Sequence, residues 1–250
     1  MTIFITGATS GFGKATAEKF AANHYNLIIT GRRKERLLRL ADDLQKKYQV
    51  KILPLVFDVR NKDEVFNAIS LLSKEWQTID VLVNNAGLAL GRDSFENANL
   101  DDWETMLDTN VKGIMFVTKA VLPFMIANKK GHIINLGSIA AKEVYPGGNG
   151  YNTSKFAVNA LTQSMRIDLL PHKIKVTGIH PGAAETEFSL VRFKGDEQKA
   201  KAVYEGFTPL SANDIADAIY YCATLPPHVC INDLVIMPAA QANATLFYKE

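Results

Sequence analysis

The sequence predicts an α/β fold built around a parallel β-sheet. Short apolar runs rich in β-branched residues alternate with longer segments of helical period, which is the pattern of successive βαβ units. The apolar runs lack polar alternation, as expected of strands that are buried on both faces. The chain has 250 residues, 47% of them hydrophobic, so we expect one domain with one large core.

Strands and helices are predicted in regular alternation along the chain. The predicted strands cover residues 2–6, 26–30, 50–57, 79–85, 131–137, 174–180 and 233–237. The predicted helices lie near residues 11–22, 33–47, 61–74, 101–127, 151–169 and 212–224. One long irregular stretch, residues 182–211, separates the sixth strand from the last helix, and connections of this length often act as functional lids.

Composition narrows the possible functions. The net charge is +2 with both signs scattered along the chain, which argues against a nucleic-acid-binding surface. No apolar run approaches the roughly 20 residues of a membrane span, and the first residues lack the features of a signal peptide, so we expect a soluble cytoplasmic protein without membrane partners. Cys222 and Cys230 show neither metal-ligand nor redox spacing, which predicts free packing cysteines and no metal site.

The turn after the first strand is rich in glycine. Gly7, Gly11 and Gly13 follow the strand and precede a predicted helix. Glycine permits a tight turn and a close backbone approach, while the helix N-terminus offers free N–H donors to a pyrophosphate. This position predicts a dinucleotide cradle. The alternative is a turn that merely needs small residues.

Two arginines follow the second strand, where an acidic residue would select NAD. Arg32 and Arg33 instead present guanidinium groups, which match the geometry of a phosphate, and so predict the 2′-phosphate of NADP. The alternative is a solvated basic helix start. Positive charge is disfavoured at a helix N-terminus, so a paired anion is the better explanation.

Tyr151 and Lys155 lie four positions apart at the start of a predicted helix. This spacing places both side chains on one helix face, so they can point into one cleft. A nearby ammonium is predicted to lower the pKa of the phenol and to make Tyr151 a proton shuttle. The alternative is a surface pair, but Ser138 at the end of the fifth predicted strand supports a site, because ligands of open α/β sheets bind at those strand ends.

Taken together, these motifs resemble the short-chain dehydrogenase/reductase family over nearly the whole chain. The matching residues, in order, are the glycine motif 6–13, Asn84-Asn85-Ala86-Gly87, Asn110, Ser138, Tyr151, Lys155, Pro181-Gly182 and Thr186. The resemblance implies a Rossmann fold: a doubly wound, seven-stranded parallel sheet of order 3-2-1-4-5-6-7 with three helices on each face.

The resemblance also implies roles for the catalytic residues. Tyr151 would exchange a proton with the substrate hydroxyl while hydride moves to or from nicotinamide. Lys155 would hold the nicotinamide ribose, Ser138 would hydrogen-bond the substrate oxygen, and Asn110 would support a proton-relay water.

Further cofactor contacts follow from the resemblance. Asp58 and Val59 would reach the adenine, Asn85 the adenosine ribose, and Pro181, Gly182 and Thr186 the nicotinamide carboxamide. Two alternatives remain: Asp58 could cap the helix near Asn61, and Pro181-Gly182 could be an ordinary turn. The complete expected NADP-binding set is Gly7, Thr9, Ser10, Gly11, Phe12, Gly13, Arg32, Arg33, Asp58, Val59, Asn85, Tyr151, Lys155, Pro181, Gly182 and Thr186.

Residues 185–196 resemble one branch of the family, the NADP-dependent dehydrogenases of 3-hydroxy acids. That branch acts on small molecules such as L-allo-threonine, serine and 3-hydroxypropionate, and reduces malonic semialdehyde. Arg192 or Lys194 could pair with the substrate carboxylate, with Ser138 and Tyr151 at its hydroxyl. The alternative is that Arg192 pairs with Glu187 or with a neighbouring subunit.

Two competing functions stay open. One is a ketoreductase for a 3-oxoacyl group or an apolar ketone, and the other is a non-catalytic NADP-binding regulator. The resemblance also implies a homotetramer, in which helices 101–127 and 151–169 form one interface and the C-terminal strand with its tail forms another. The apolar residues 246–248 are consistent with a docked tail.

Overall fold

The computed structural model describes all residues, 1–250, and contains one seven-stranded sheet. All pairings are parallel and the strand order is β3-β2-β1-β4-β5-β6-β7, so the predicted topology is confirmed. The order reverses between β1 and β4, which opens a crevice at the carboxyl ends of these two strands. The strands are β1 (Thr2–Ile5), β2 (Asn26–Gly31), β3 (Ile52–Val56), β4 (Val81–Asn84), β5 (Gly131–Leu136), β6 (Ile174–Pro181) and β7 (Asp233–Ile236).

Six of the nine α-helices cover the two faces of the sheet. One face packs against α1, α2 and α9, and the other against α3, α5 and α6, which confirms three helices on each face. The helices are α1 (Gly11–Ala22), α2 (Lys34–Tyr48), α3 (Lys62–Ser70), α4 (Leu100–Leu107), α5 (Gly113–Ala127), α6 (Asn149–Asp168), α7 (Glu187–Arg192), α8 (Glu197–Ala202) and α9 (Ala212–Thr224).

Alternate residues of the central strands supply two separate cores. Ile3 and Ile5 of β1 point towards the α1 side, whereas Phe4 between them points towards the α5 side. All three side chains are fully buried. This explains why the strand shows no polar alternation: each of its faces is covered by helices.

The two edge strands depart from that expectation. Residues of β3 are mostly half-buried, and β7 alternates between exposed and half-buried positions, with Val235 exposed. The prediction that every strand is buried on both faces is therefore wrong for the edges, where the helices cover the sheet less completely.

Several predicted boundaries need correction. Helix α3 ends at Ser70 rather than near residue 74, and a short 3₁₀ turn occupies Lys74–Trp76. Helix α6 begins at Asn149 rather than at Tyr151, so the tyrosine lies inside the first turn. Residues 182–211, expected to be irregular, contain α7 and α8.

The long helix predicted over residues 101–127 is interrupted by a π-helical turn at Asp108–Lys112. Together, residues Leu100–Ala127 are long and apolar enough to cross a membrane, so the expected absence of any such segment is wrong on length and composition. The same properties belong to the core helices of soluble proteins. Val117, Val121 and Met125 of α5 are buried against the sheet, as in such a core helix.

Candidate active site

Two adjoining cavities lie at the carboxyl edge of the sheet. The smaller, of about 290 Å³, runs from the glycine turn past the end of β2 towards Lys155. The larger, of about 520 Å³, is bounded by the segment after β5 and by α7. Phe12, Tyr151 and Thr186 line both cavities, so the predicted proton shuttle stands at their junction.

The glycine turn fits the predicted cradle. Gly7 and Gly11 have φ values of 66° and 51°, in the left-handed region that favours glycine. A Cβ on Gly13 would lie 2.4 Å from the carbonyl oxygen of Gly7, so the start of α1 can pack this closely only without a side chain. Ser10 precedes α1 without a side-chain cap, which leaves N–H donors of the first turn available to an anion.

Asn85 supports the turn from the neighbouring strand. Its side-chain amide donates to the carbonyl oxygens of Thr6 at 2.8 Å and Gly7 at 3.1 Å. Asn85 also lines the smaller cavity, close to where the adenosine ribose was predicted. These hydrogen bonds also connect the glycine turn to the end of β4.

The two arginines after β2 have different partners. Arg32 lies 3.6 Å from a carboxylate oxygen of Asp58, which also accepts hydrogen bonds from Arg60 at 2.6–3.1 Å. Partial burial opposes ionisation of Asp58, but the hydrogen bonds from Arg60 and the charge of Arg32 outweigh it and lower the pKa of this carboxyl group. Arg33 instead donates to Thr9 and to a carboxylate on α7.

The capping alternative for Asp58 is wrong. Asn61 caps α3, because its side-chain oxygen accepts hydrogen bonds from the backbone N–H groups of Asp63 and Glu64. Asp58 instead lines the smaller cavity beside Val59.

Ser138, Tyr151 and Lys155 converge at the end of β5. The Ser138 hydroxyl accepts a hydrogen bond from the Ala140 N–H at 3.1 Å, and Ser138 and Tyr151 both line the larger cavity. Lys155 donates from Nζ to the Leu136 carbonyl oxygen at 2.8 Å. Its Nζ lies 5.7 Å from the centroid of the Tyr151 ring, so phenol and ammonium do share one helix face.

Burial dominates the protonation of this pair. It raises the pKa of the Tyr151 phenol to about 12, with a further increase from Tyr145, while the charge of Arg192 and the side chain of Ser138 act in the opposite direction. Burial also lowers the pKa of Lys155 to about 8. The predicted lowering of the Tyr151 pKa by Lys155 is therefore wrong. Desolvation raises this pKa more than nearby positive charge lowers it, and the positive charge that lowers it belongs to Arg192.

Asn110 lies behind the reacting groups, in the π-helical turn between α4 and α5. Its amide donates to the Leu88 carbonyl oxygen at 2.8 Å and to the Ser154 hydroxyl at 2.9 Å, and its oxygen accepts from the Leu88 N–H. Such π-turns occur frequently at functional sites. The turn places Asn110 between the loop after β4 and helix α6. Gly87 of that loop lies close to both Asn110 and Lys155.

Arg192 enters the larger cavity from α7. Its guanidinium lies 4.9 Å from the Tyr151 ring centroid and 5.2 Å from that of Phe188, and it donates to the Tyr145 hydroxyl at 2.7 Å. Its Nε is buried without a hydrogen-bond partner. The alternative that Arg192 pairs with Glu187 is thus wrong.

Lys194 does not accompany Arg192. Its ammonium is exposed and pairs with Asp102 at 2.8 Å, away from the larger cavity. The predicted basic pair is therefore reduced to one arginine.

The remaining predicted residues lie near the junction of the cavities. Pro181 ends β6, and Gly182 approaches the C-terminal tail so closely that a Cβ there would lie 2.4 Å from the side-chain oxygen of Gln241. Thr186 caps α7 and lies against Gly11. Pro181, Gly182 and Thr186 line the larger cavity, so they form more than an ordinary turn.

The sequence did not identify several residues that shape the site. Tyr145, Phe188 and the tail residue Phe247 line the larger cavity, and Glu187 contacts Arg33. The tail folds back on its own chain, where the Gln241 side chain accepts from the Ala183 N–H. Tyr145 and Phe188 offered only a weak signal, as aromatic residues close in sequence to predicted site residues. Glu187 and Phe247 offered none, because their contacts with Arg33 and Phe207 join distant parts of the chain.

Comparison with known proteins agrees with this geometry. Residues 1–196 match the family model described as short chain dehydrogenase. The chain is 46% identical over 247 residues to the NADP-dependent 3-hydroxy acid dehydrogenase YdfG of Salmonella typhi, covering 98% of each chain. It is 48% identical over 241 residues to the sulfoacetaldehyde reductase of Chromohalobacter salexigens, covering 96% and 94%.

A solved structure provides the same answer for the fold. The closed form of a serine dehydrogenase complexed with NADP⁺ superposes with a TM-score of 0.93 at 42% identity, with full coverage of both chains. The predicted family is confirmed, and this chain belongs to the short-chain dehydrogenase family.

Proposed function

We propose that this protein is an NADP-dependent oxidoreductase acting on the 3-position of small 3-hydroxy acids, such as L-allo-threonine, serine and 3-hydroxypropionate. The observation that carries the proposal is the position of Tyr151, between a dinucleotide-shaped cleft and a cavity that contains the half-buried Arg192. The names of the relatives, which include a 3-hydroxy acid dehydrogenase and a serine dehydrogenase, support it.

The chain's residues fit NADP. The turn at Gly7–Gly13 would hold the pyrophosphate, Arg32 and Arg33 the 2′-phosphate, and Asp58 and Val59 the adenine. Asn85 would lie beside the adenosine ribose. Thr9, Ser10, Phe12, Pro181, Gly182 and Thr186 would complete the binding surface. When bound, NADP supplies the hydride acceptor in oxidation and the hydride donor in reduction.

Tyr151 handles the proton. In reduction it donates its phenolic proton to the substrate oxygen, and in oxidation it takes the proton back. The high pKa of the buried phenol keeps the proton on Tyr151 until the substrate oxygen becomes basic. Ser138 would orient that oxygen through its hydroxyl, because Ser138 lines the larger cavity together with Tyr151. Lys155 would hold the nicotinamide ribose, and Asn110 would support the proton-relay water.

Arg192 would bind the substrate carboxylate. Its guanidinium lies 4.9 Å from the centroid of the Tyr151 ring and both residues line the larger cavity, so one small molecule can contact both. A carboxylate oxygen would satisfy the buried Nε of Arg192, which lacks an acceptor within the protein. Helix α7 would therefore act as a lid, part of the predicted segment 182–211, that anchors the substrate.

Replacing Arg192 with alanine tests this anchor. We expect the KM for a 3-hydroxy acid to rise by at least about tenfold, because a charge-assisted hydrogen bond contributes roughly 1.5–3 kcal/mol. Turnover of a neutral alcohol should change much less. Lys194→Ala is the matched control, since it removes a cation from the same segment outside the cavity. An unchanged KM for hydroxy acids in Arg192→Ala would rule out the anchor.

Other substrates would use the same machinery. The sulfoacetaldehyde reductase relative suggests a sulfonate-bearing aldehyde as a second candidate, because Arg192 can pair with a sulfonate as well as with a carboxylate. The larger cavity also has room for the 3-oxoacyl group or apolar ketone considered above. A non-catalytic regulator is disfavoured, because it has no need of Ser138, Tyr151, Lys155 and Asn110 together.

A substrate panel with NADP⁺ and NAD⁺ in parallel distinguishes these functions. We expect NADP⁺ to be preferred by at least tenfold, with higher kcat/KM for serine, allo-threonine or 3-hydroxypropionate than for a hydrophobic alcohol. A preference for NAD⁺ would contradict the role of the arginines. Activity restricted to the alcohol would contradict the hydroxy-acid assignment, and cofactor binding without turnover would favour the regulator.

The assembly that we propose is a homotetramer. Met115 on α5, Phe156 and Ile167 on α6, and Val235 on β7 are exposed, which leaves apolar side chains on the two surfaces predicted to form interfaces. Light scattering should show about four times the 27.6 kDa chain mass. Phe156→Glu should lower that mass, and a monomeric wild type would contradict the proposal. The cytoplasmic location remains a prediction.

A further inference from the structure

Glu187, the first residue of α7, pairs with Arg33 of the cofactor cleft and with Arg36 of α2. Its carboxylate accepts from Arg33 Nη1 at 2.9 Å and from Arg36 Nη1 at 3.1 Å. These contacts join residues that are 154 and 151 positions apart and connect α7 to the start of α2. The hydrogen bond from Arg33, together with the charges of both arginines, overcomes partial burial and lowers the pKa of Glu187, so the residue is an anion at neutral pH.

The guanidinium of Arg33 is nearly saturated. Its Nε and Nη2 donate to the Thr9 hydroxyl at 3.0 and 2.9 Å, and Nη2 also donates to the Ser10 hydroxyl at 2.7 Å. With Nη1 bonded to Glu187, only one of its five N–H donors lacks a partner. A second anion can accept more than one hydrogen bond from Arg33 only if the hydrogen bond between Arg33 and Glu187 breaks, or if Thr9 and Ser10 are displaced.

Helix α7 also carries residues of the reacting site. Phe188 packs edge-on against the Tyr151 ring, with 5.6 Å between the ring centroids, and Arg192 lies over the same ring. The anchor of Glu187 at the adenosine end therefore helps to set the position of side chains at the substrate end of the cleft.

We propose that Glu187 competes with the 2′-phosphate of NADP for Arg33, which makes Glu187 a determinant of cofactor preference and couples that phosphate to the docking of α7. The inference rests on the proposed role of Arg33 at the 2′-phosphate. Coupling is reciprocal: if the carboxylate weakens phosphate binding, the phosphate weakens the hold of Arg33 on α7 by the same factor. NAD, which lacks this phosphate, leaves the ion pair intact.

Binding titrations with NADP⁺ and NAD⁺ test the competition. Glu187→Gln removes the charge and keeps the size of the side chain, so we expect the Kd for NADP⁺ to fall about fivefold, as appropriate to a partly exposed pair. The Kd for NAD⁺ should stay within about twofold. Glu185→Gln is the matched control, because it makes the same charge change on the same segment, away from the arginines.

Measurements in the Arg33→Ala background test the proposed phosphate site and the proposed competition separately. There, the effect of Glu187→Gln on NADP⁺ binding should disappear. If Arg33→Ala alone fails to weaken NADP⁺ relative to NAD⁺, the proposed phosphate site is wrong. Suppose instead that Arg33→Ala does weaken NADP⁺ binding. The competition is then overturned if Glu187→Gln leaves the NADP⁺ affinity unchanged or lowers it, or if it raises the NAD⁺ affinity by the same factor.

Hydrogen exchange tests the coupling to α7. The amides of residues 188–192 should exchange faster in the NADP⁺ complex than in the NAD⁺ complex of the wild type, and equally in the two complexes of Glu187→Gln. Equal exchange in both wild-type complexes would overturn the coupling.

Discussion

Tyr151→Phe should lower kcat/KM for the hydroxy-acid substrate by about 10³-fold while NADP⁺ still binds. The substitution removes one hydroxyl group, and positioned acid–base groups contribute roughly 10²- to 10⁴-fold to the rate. The ring packs against Phe188 and beneath Arg192, so phenylalanine can occupy the same space. The measurements are steady-state kinetics in both directions and titration of NADPH fluorescence.

The control for this substitution is Tyr204→Phe. Tyr204 also presents a phenol to the larger cavity, but its hydroxyl donates to the Ala184 carbonyl oxygen and is hydrogen-bonded to Ser189, neither of which is a predicted reacting group. We expect its kcat/KM to stay within about fivefold of the wild type, since an ordinary hydrogen bond contributes about 1 kcal/mol. Equal losses in the two variants would mean that Tyr151 acts through packing alone.

Lys155→Met should lower kcat/KM by about 10²-fold and weaken NADPH binding about tenfold at pH 7.5. Lys155 is only 6% exposed and donates to the Leu136 carbonyl oxygen, so its ammonium is held at the end of β5 beside Tyr151. Methionine retains most of the volume of the side chain but can neither donate a hydrogen bond nor carry a charge. The loss should therefore report on the ammonium and not on a cavity.

The pH dependence of NADPH binding provides a second test of Lys155. Burial lowers the pKa of the free-enzyme ammonium to about 8, so the charge is lost as the pH rises through that value. A bound ribose that accepts from the ammonium retains the proton, so the complex binds more protons than the free enzyme above pH 8. Affinity should consequently fall about tenfold between pH 7.5 and pH 9.5 in the wild type, by linkage, and stay flat in Lys155→Met.

Lys112→Met is the control for charge alone. Lys112 is exposed and pairs with Asp108 on the surface, so its loss removes one positive charge without touching either cavity. NADPH affinity in this variant should match the wild type and keep its pH dependence. A flat profile in the wild type would show that the proton of Lys155 is not linked to cofactor binding.

Local sequence patterns predicted the elements of the sheet and the family. β1 and β5 are buried along their whole length, and both were located from the sequence. Two predicted helix boundaries were wrong. Helix α3 ended early at Ser70, and α6 began before Tyr151. Such ends depend on the tertiary contacts that replace one or two hydrogen bonds.

Among the site residues, those within short motifs were easier to identify than those joined by folding. Tyr151 and Lys155 share a helix face because of their spacing, which the sequence states directly. The ion pair of Glu187 with Arg33 joins residues 154 positions apart, and no periodicity predicts it. The same holds for the hydrogen bond from Arg192 to Tyr145.

The sequence by itself predicted the parallel sheet, the candidate glycine cradle and the candidate reacting groups, because each prediction depends on local spacing, backbone freedom or side-chain chemistry. The tertiary structure alone decided how those groups are charged and which partners they have. Burial sets the pKa values of Tyr151 and Lys155 against the direction that their proximity favours. Desolvation depends on every atom packed around a group, and those atoms come from strands and helices distant in the chain.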